Sequence, residues 1–531
     1  MTAHPIPTKR DTEPPAANGP LGASRLAGID IGSNSVRIVV AAADADGYRV
    51  LDEERENTRL AAALGETGRL DDAAVEATLA ALRSFVTLAQ GHGVAEIRAI
   101  ATSAVRDAQN GPEFCARVRD ELGLLVEVIP PREEGRLSFL SVARAFDVTD
   151  KVVAVADIGG GSTEITLAAS GVIDDVYPTR LGAVRVAELC GLAGKCGGER
   201  LEHAASFIDE ELRRHARKPS LFPAVVYGCG GTFTALASMQ LARRGDDTDT
   251  PARGFRVNRA DVRHLIADLG RMTLESRAKT PGLNPRRADI IVAGLLIIER
   301  ILRHFQANEV CVHTGGVRDG LLLTMVRESR AGDRPFTQAE RRDAVERFAE
   351  RCGTDLPHAH QVARLAGRLH EELSGPLGLA VADKPLIEAA ALLANVGYLI
   401  NFDGHHKHSY HLIVNSDLPG FERDELRVLA NVARYHRGSR PKQKHKPYAA
   451  LSDDDQDRVA KMAAILRVAL ALDRTRQRHV EDVGVNVTDS SVEIALRTHG
   501  DAEVDLWAAR RKVDLFERVF GRRVYFASVG E

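Results

Sequence analysis

Residues 153–167, VAVADIGGGSTEITL, decide the fold of this 531-residue chain. An apolar, β-branched run ends at Asp157, and three consecutive glycines follow one residue later. The run predicts a buried strand, and the glycines predict a turn with unusual backbone angles. Backbone N–H groups with no side chains in front of them can close around an anion such as phosphate. A second strand is predicted at residues 165–167, whereas the P-loop and the Rossmann loop both open a helix.

The same pattern occurs once earlier, at residues 26–40, LAGIDIGSNSVRIVV. A repeat of this kind predicts two related lobes, each offering a strand–turn–strand loop to one phosphate site. Asp157, at the end of its strand, is placed to hold a divalent cation that would offset the charge of a phosphate chain. The matched pairs of the repeat are Asp30 with Asp157, Ile31 with Ile158, Gly32 with Gly159, and Ser35 with Ser162.

Composition and charge exclude several classes of protein. Hydrophobic residues make up 44% and charged residues 27% of the chain, as in ordinary globular proteins. The formal net charge of −3 excludes a globally basic nucleic-acid binder, so a polyanion would have to bind at local basic patches. The six cysteines show no paired CxxC spacing. This predicts free thiols in a reducing compartment, with neither a disulfide framework nor a zinc site.

Residues 1–25 are rich in Pro, Ala and Gly, and we expect a disordered tail there, without a signal peptide or a membrane anchor. No run approaches the ~18 apolar residues that a membrane span needs. We therefore expect no integral membrane segment and a cytoplasmic location. Finding the protein in an extracellular fraction would contradict this expectation.

Two further glycine turns follow predicted strands in the second lobe, within residues 225–236 and 310–323. Each is followed by a predicted helix, whose N-terminus would point at the ligand. A Gly-Gly pair is also common at ordinary tight turns, so each of these turns alone is weak evidence. Together with the two hairpin loops they predict a cleft lined by four glycine turns, here with Gly230, Gly231, Gly315 and Gly316.

Charged residues follow two other predicted strands. Arg106 lies just after the strand predicted at residues 97–101, at an end where ligands bind in α/β sheets. Its guanidinium fits two phosphate oxygens at once, but the local sequence equally fits a plain surface arginine. Glu133 and Glu134 open a predicted helix. They are either partners of the helix dipole, or one of them deprotonates a water, since a carboxylate is ionised at neutral pH.

Taken together, these motifs resemble the exopolyphosphatase and guanosine pentaphosphate phosphohydrolase family. That family belongs to the actin-like ATPase fold shared with sugar kinases and heat-shock chaperones. The resemblance covers about the first 330 residues in the family's order, and residues 362–446 also resemble the helical second half of its longer members. The matching segments are DIGSNS at 30–35, ATSAVRDA at 101–108, EEGR at 133–136, DIGGGSTE at 157–164, GCGGT at 228–232, GGVRDG at 315–320, HHKHS at 405–409 and RYHR at 434–437.

The resemblance implies hydrolysis of a terminal phosphoanhydride with Mg²⁺. It implies that Glu134 activates the water and that Asp157 and Glu164 hold the metal. Asp30, as the counterpart of Asp157 in the repeat, is a third predicted metal ligand. The phosphate-binding residues that follow from the loops and the resemblance are Ser33, Asn34, Ser35, Arg106, Gly159, Gly160, Gly161, Ser162, Thr163, Gly230, Gly231, Gly315 and Gly316.

From residue 337 the chain is predicted to be helical and resembles an HD-type phosphohydrolase bundle. His360 is the expected first metal ligand and Asp473 the last. The position expected to carry the His-Asp pair has Ala394 and Asn395 instead. Alanine cannot ligate a metal and asparagine is a poor substitute for aspartate, so we expect a binding or dimerisation module here rather than a metal site.

Basic clusters in the helical half favour binding of a polyanion. Polyphosphate carries about one charge per phosphate, so cations along a groove would hold the chain by counterion release, as in nucleic-acid binders. The alternative is a solvated loop. Few aromatic residues lie nearby, which disfavours a base-stacking surface and nucleic acid. The predicted channel residues are His406, Lys407, Arg434, His436 and Arg437.

The predicted fold class is α/β: two ribonuclease H-like (actin-like ATPase) lobes, then an all-α HD-like domain and a small α+β domain. The last is read as strand, strand, helix, strand, with Val504, Trp507, Val513 and Phe516 on one helical face. The predicted domains are a tail at 1–25, lobes at 26–149 and 150–332, a helical domain at 333–480 and the α+β domain at 481–531.

The leading functional prediction is a Mg²⁺-dependent exopolyphosphatase acting on inorganic polyphosphate. A guanosine pentaphosphate (pppGpp) 5′-phosphohydrolase uses the same site, and the sequence does not separate the two. A sugar kinase or ATPase, and a non-catalytic sensor that binds polyphosphate or an alarmone such as guanosine tetraphosphate, are the remaining alternatives. The three acids of the site argue against the sensor. The resemblance also implies a homodimer.

Overall fold

The computed structural model describes residues 24–44, 47–62, 64–245, 252–331 and 336–529. The predicted disordered tail lies outside these ranges except for its last two residues. The chain divides into two compact units, Met1–Ile129 with Leu321–Gly332, and Pro130–Gly320 with Asp333–Glu531. No helix among the described residues is both long and apolar enough to cross a bilayer.

The first unit is built on a five-stranded sheet. Its first three strands pair antiparallel, and the fourth and fifth then continue the sheet in parallel from the first. The sheet order is β3-β2-β1-β4-β5. The strands are β1 (Arg25–Ile31), β2 (Val36–Asp44), β3 (Gly47–Glu56), β4 (Glu96–Ala101) and β5 (Val126–Val128), and the helices are α1 (Leu64–Thr67), α2 (Asp72–Gly91), α3 (Ser103–Asp107) and α4 (Gly111–Leu122).

Apolar residues at helical spacing explain why α2 forms and where it packs. The periodicity predicts a helix over residues 71–90, and the structure has one at Asp72–Gly91. The Asp71 carboxylate caps it by accepting from the N–H of Ala74 at 3.2 Å. Leu82 and Phe85 on its inner face are fully buried against the sheet. This core holds the turns at the carboxyl ends of β1 and β4.

The second unit begins with a six-stranded sheet in the order β10-β11-β9-β6-β7-β8. Its first hairpins repeat the plan of the first unit, since three antiparallel strands are joined by a parallel neighbour on the opposite side. The strands are β6 (Val152–Ile158), β7 (Thr163–Ala169), β8 (Val172–Thr179), β9 (Val225–Cys229), β10 (Arg256–Asn258) and β11 (Glu309–Val312). The helices are α5 (Pro131–Ala145), α6 (Ala183–Leu189), α7 (Gly198–His215), α8 (Gly231–Arg244), α9 (Arg259–Gly270), α10 (Leu274–Ala278) and α11 (Ile291–His304). Helix α12 (Val317–Ala331) begins in this unit, and its residues from Leu321 onward belong to the first unit, although the sequence assigned them to the second lobe.

Helix α5 also belongs to a different unit from the lobe that the sequence assigned to it. The sequence placed residues 131–145 in the first lobe, which was to end at residue 149, but α5 belongs to the second compact unit. Its residues Phe139 and Val142 pack in one core with β6 and β8. The helix that begins at Glu133 and Glu134 is therefore positioned by the second sheet.

The helical half of the second unit has one continuous core with the C-terminal sheet. Its helices are α13 (Gln338–Arg351), α14 (Leu356–Leu377), α15 (Lys384–Leu393), α16 (His405–Val414), α17 (Arg423–Arg434), α18 (Lys446–Ala449) and α19 (Asp453–Ala471). The C-terminal elements are β12 (Val480–Val487), β13 (Ser491–Thr498), α20 (Glu503–Arg510), α21 (Asp514–Phe520) and β14 (Arg523–Val529), with sheet order β12-β13-β14.

The prediction of a single C-terminal helix is wrong. The chain leaves the helix after Arg510 and starts another at Asp514, so the four apolar residues do not share one face. Trp507 is 59% exposed, whereas Phe516 is 1% exposed. A turn of three residues therefore replaces the middle of the predicted helix, which residue spacing alone does not reveal.

Candidate active site

The turn between β6 and β7 sets two carboxylates directly opposite each other. The hairpin closes with a hydrogen bond from the N–H of Gly159 to the carbonyl of Ser162 at 3.0 Å. Its register pairs Asp157 with Glu164 across the two strands. Glu164 is 1% exposed. Like charges directly opposite in a sheet are destabilising, so this pair favours a site for a cation.

The first turn of α6 forms hydrogen bonds to the glycine turn between β6 and β7. The N–H groups of Ala183 and Val184 donate to the carbonyls of Gly159 and Gly160, both at 3.0 Å. A Cβ on Gly182 would lie 2.1 Å from the carbonyl oxygen of Gly160, so no side chain fits there. The turn carbonyls are thus bonded to α6, and the predicted phosphate loop is rigid.

Helix α5 brings Glu134 to the same hairpin. Pro131 occupies the first turn, where a missing N–H costs nothing, and Glu134 is 6% exposed. Ser138 donates from its Oγ to Oδ2 of Asp157 at 2.5 Å. Residues four apart lie on the same side of a helix, so Glu134 shares the side of α5 that faces Asp157.

The contact between α5 and β7 is close enough to exclude a side chain at Gly135. A Cβ there would lie 2.6 Å from Cγ1 of Val176 and 3.6 Å from Cβ of Glu164. The hydroxyl of Thr166 donates to the carbonyl of Gly135 at 3.0 Å. The structure thus brings the three predicted acids, Glu134, Asp157 and Glu164, to one corner of the second unit's sheet.

The two later glycine turns border the carboxylate of Asp157. A Cβ on Gly230 would lie 3.2 Å from Oδ1 of Asp157, and one on Gly316 would lie 3.6 Å from Oδ2. Gly230 has φ +94°, which an L side chain rarely adopts. Gly231 and Gly315 adjoin them in the same turns. Two of the four glycines predicted from these motifs, Gly230 and Gly316, therefore lie beside the Asp157 carboxylate.

Arg287 is a site residue that the sequence reasoning missed. A Cβ on Gly231, the first residue of α8, would overlap the Arg287 guanidinium at 1.7 Å. A guanidinium and a helix N-terminus both attract anions, and here they meet at one glycine. Nothing in the segment NPRR at 284–287 distinguishes this arginine from its neighbours.

A fully buried arginine fixes the segment that carries Arg287. Arg277 is 0% exposed, and its guanidinium donates to five backbone carbonyls. One of these bonds, 2.9 Å long, ends on Ala288, next to Arg287. The other four acceptors are the carbonyls of Leu192, Ala193, Gly194 and Leu269, at 2.7–3.2 Å.

In the first unit the predicted phosphate residues gather at the carboxyl ends of β1 and β4. The hydroxyls of Ser33 and Ser103 are 2.9 Å apart, and Ser33 is buried. The hairpin turn closes from the N–H of Gly32 to the carbonyl of Ser35 at 3.1 Å. The same turn contains Asn34. These contacts bring the β1 turn and the start of α3 together.

Two residues of the first unit that were predicted to bind phosphate or metal, Arg106 and Asp30, have partners within the protein. Arg106 donates to the carbonyl of Ile129 at 2.9 Å, so its guanidinium is anchored beside the end of β5. Asp30 is opposite Arg37 in the hairpin register, at the position where Asp157 meets Glu164. The first hairpin therefore pairs an acid with a base, and the role of Asp30 as a metal ligand stays a prediction.

Two arginines form ion pairs with Glu133 at the start of α5. Arg136 donates to both carboxylate oxygens of Glu133, at 2.8 and 3.0 Å, and Arg423 donates to Oε2 at 2.9 Å. Burial alone would raise the pKa of Glu133, but these two arginines outweigh it and hold the pKa below its usual range. Glu133 is thus an ion-pair partner of two arginines, and the role of the base stays a prediction for Glu134.

The donor set of the corner fits a hard divalent cation. Asp157, Glu164 and the hydroxyl of Ser138 offer only oxygen atoms, which Mg²⁺ prefers. Among the described residues no group of three or more His, Cys, Asp or Glu side chains could enclose a metal alone. Mg²⁺ usually keeps several waters and binds through one or two carboxylates plus substrate phosphates, so two acids are sufficient.

Family models match both halves of the chain. The model of the Ppx/GppA phosphatase family covers residues 39–329, and that of Ppx/GppA phosphatase domain III covers residues 341–507. The chain belongs to the Ppx/GppA phosphatase family. Its mixed α/β sheets and helical half agree with the actin-like architecture of Ppx/GppA proteins.

Individual relatives agree with this assignment. A guanosine-5′-triphosphate,3′-diphosphate pyrophosphatase of Pseudoalteromonas translucida (strain TAC 125) is 27% identical over 416 residues, 77% of this chain and 80% of that protein. A Ppx/GppA crystal structure from Aquifex aeolicus matches with 31% identity and TM-score 0.52, over 58% of this chain and 99% of that one. An exopolyphosphatase from Cytophaga hutchinsonii matches with 25% identity and TM-score 0.53, over 57% and 98%.

In the helical half of this Ppx/GppA chain, one of the two predicted metal ligands is wrong, namely His360. Asp473 accepts from Nδ1 of His358 at 2.7 Å, and both are buried. His360 instead faces Glu346, with Nδ1 and Oε1 3.8 Å apart. His358 and His360 are two residues apart, which corresponds to about 200° of rotation around the axis of α14. Only one of them can therefore face α19. The HD-like reading of this domain stays a prediction.

The structure changes the charge of two predicted channel residues of this Ppx/GppA phosphatase. His436 is 6% exposed, and burial lowers its pKa to about 3. Burial likewise lowers the pKa of His406 to about 4. Both rings are neutral at pH 7 and do not supply the charge assigned to them. Lys407 and Arg437 are exposed cations, and Arg434 stacks over Tyr410 with 5.6 Å to the ring centroid.

Proposed function

We propose that this protein hydrolyses the terminal phosphoanhydride of inorganic polyphosphate with Mg²⁺ and releases orthophosphate. The observation that carries the proposal is the cross-strand pair Asp157 and Glu164, with Ser138 donating to Asp157 from the helix that carries Glu134. Membership of the Ppx/GppA phosphatase family supports the reaction class. The substrate is the part of the proposal that goes beyond the family.

In the proposed mechanism the chain's own residues bind the phosphate end and move one proton. The rigid glycine turn at 159–161 and the N-terminus of α8 with Arg287 would hold phosphoryl oxygens. Glu134 would accept the proton of a water that attacks in line with the leaving phosphate. Asp157 and Glu164 would hold Mg²⁺, which when bound offsets phosphate charge and stabilises the developing negative charge.

Exposed cations of the helical half favour a polymeric substrate. The basic side chains of this region that are exposed to solvent are Lys407, Arg437, Lys442, Lys444 and Lys446. A polyanion that contacts several of them would be held by counterion release, so binding would weaken steeply as salt rises. A short nucleotide carries fewer phosphate charges and would release fewer counterions.

The second candidate is hydrolysis of the 5′ γ-phosphate of guanosine pentaphosphate. The name of the Pseudoalteromonas relative favours it, because that protein is a guanosine-5′-triphosphate,3′-diphosphate pyrophosphatase and 80% of its length is matched. Both reactions remove a terminal phosphoryl group and use the same residues in the same roles. They differ only in what holds the remainder of the substrate.

The test measures orthophosphate release with Mg²⁺ from long-chain polyphosphate and from guanosine pentaphosphate, side by side. We expect a higher kcat/KM with polyphosphate, and a loss of about 10²–10⁴ in kcat for Glu134→Gln on either substrate. Glu127→Gln, an exposed carboxylate on β5, is the matched control and should behave as wild type. Turnover of Glu134→Gln at the wild-type rate would reject the base, and a preference for guanosine pentaphosphate would select the second candidate.

A further inference from the structure

The helical half reaches the helix that carries the candidate base. We propose that Arg423 is a positioning residue: through Glu133 and Arg136 it fixes the first turn of α5 and hence Glu134. The inference rests on the proposed function only for the role of Glu134. It makes the helical half part of the catalytic apparatus, in addition to the binding module expected from the sequence.

Four side chains of alternating charge form one network across the two parts of the second unit. Glu133 and Arg136 lie in α5 and are joined by two hydrogen bonds, at 2.8 and 3.0 Å. Arg423, the first residue of α17, adds a bond to Glu133 at 2.9 Å. Asp417, in the loop before α17, lies 3.7 Å from Arg136. Glu134 lies between the two α5 members of this network.

The network is more than a surface ion pair. The side chains of Glu133 and Arg136 are 13% and 17% exposed, so their interaction is screened less than a pair in water. Exposed pairs contribute ~0–1 kcal/mol, but bidentate geometry and networks are the recognised exceptions. The lowered pKa of Glu133 agrees with a strong interaction, since it persists despite a burial effect of opposite sign.

A second set of contacts attaches the loop that carries Asp417 to β8. Nδ1 of His408 lies 3.4 Å from Oδ1 of Asp174, and Asn415 donates to the carbonyl of Asp174 at 3.2 Å. Arg132, two residues before Glu134, pairs with Asp175 at 3.1 Å. The start of α5 is thus fixed to the helical half on one side and to β8 on the other.

This arrangement predicts a defined cost when the outer arginine is removed. A displacement of a reacting group by about 1 Å can reduce a rate by about 10²-fold. We therefore expect that a partly released first turn of α5 lowers kcat about 10-fold. The Arg423 side chain is 66% exposed, and its removal leaves no cavity in the core. The loss should therefore fall on kcat, with little change in folding or in KM.

The experiment combines a double-mutant cycle with a pH profile. We expect Arg423→Ala and Glu133→Gln each to lower kcat about 10-fold, and the double variant to be no worse than the worse single. Arg423→Lys should restore part of the loss, because it keeps the charge. In Arg423→Ala the pKa of Glu133 should rise, so kcat should fall at a higher pH on the acid side than in wild type.

Arg427→Ala is the matched control, because Arg427 lies one turn further along α17 and pairs with exposed Asp424. Wild-type kcat in Arg423→Ala, additive losses in the double variant, or an equal loss in Arg427→Ala would overturn the inference. Amide hydrogen exchange over residues 131–138 tests it without turnover. Faster exchange in Arg423→Ala supports the inference even if neither phosphate substrate is hydrolysed, and unchanged exchange overturns it.

Discussion

The hydrogen bond from Ser138 to Asp157 gives the sharpest test of the candidate site. At 2.5 Å it is short, and its acceptor is a carboxylate, so it belongs to the strong, charge-assisted class. Hydrogen bonds to charged groups contribute about 1.5–3 kcal/mol. If that stabilisation is lost in the transition state, Ser138→Ala should lower kcat/KM by about 10–150-fold.

The same variant should weaken the response to Mg²⁺. Residues that orient a metal-ligating carboxylate typically matter about 10–100-fold for metal affinity or activity. We therefore expect the half-saturating Mg²⁺ concentration to rise at least several-fold in Ser138→Ala. The assay is initial-rate orthophosphate release across a Mg²⁺ titration, at saturating substrate and fixed ionic strength.

Ser141→Ala controls for the loss of a hydroxyl from α5. Ser141 lies one turn further along and is 2.7 Å from Nε2 of His313, so its bond is to a neutral ring rather than to an acid. Burial lowers the pKa of His313 to about 4, which keeps that ring uncharged at pH 7. A Ser138→Ala enzyme with unchanged kcat/KM and Mg²⁺ response, or one matched by Ser141→Ala, would refute the assignment.

Two further predictions concern stability. Arg277→Met should destabilise the second unit by at least about 1–3 kcal/mol, because a buried carbonyl left without a donor costs that much and five carbonyls lose the guanidinium. Urea unfolding followed by circular dichroism measures the loss, and a loss below about 1 kcal/mol would contradict the role of Arg277. His436, with its pKa lowered by burial to about 3, takes up a proton more readily unfolded than folded, so its contribution to stability is complete above pH 6.5 and falls as pH falls toward 3. Between pH 7 and pH 4.5 that loss is about 2–3 kcal/mol, and His436→Gln should remove it; an unchanged pH dependence in the variant would show that the ring is not held neutral.

Local patterns predicted the elements around the glycine loops. The apolar run and the alternating run at residues 153–167 became β6 and β7, and the earlier copy became β1 and β2. The repeat could be recognised because turns whose backbone angles require glycine have that residue at the same position in both copies. That Asp157 and Glu164 lie opposite each other also follows from the sequence, because the tight turn between them fixes the pairing register of β6 and β7.

Long-range packing was not predictable in the same way. The sequence placed α5 with the first lobe, although its contacts are with β6, β7 and β8. It also named His360 as the partner of Asp473, whereas the structure has His358 there; both positions carry histidine, and only the rotation of α14 distinguishes them. Arg287 and Arg423 were missed for a similar reason: arginines are frequent, and their partners are far away in the chain.

Charge assigned from residue type was the weakest part of the sequence reasoning. His406 and His436 belong to a basic cluster in the sequence, but burial makes both rings neutral. Burial of a histidine depends on tertiary contacts, here the packing of α16 against α17. The lysines of the same region are exposed, and their part in binding a polyanion stays a prediction.

The two DIG hairpins have the same backbone plan but opposite electrostatics. At equivalent positions an aspartate meets Arg37 in one copy and Glu164 in the other, so one rung is neutral and the other carries two negative charges. The proposed divalent-ion site thus uses the copy in which two acids face each other, since their shared charge favours a cation. Exchanging Arg37 and Glu164 between the copies would move that preference to the other half without altering a single turn.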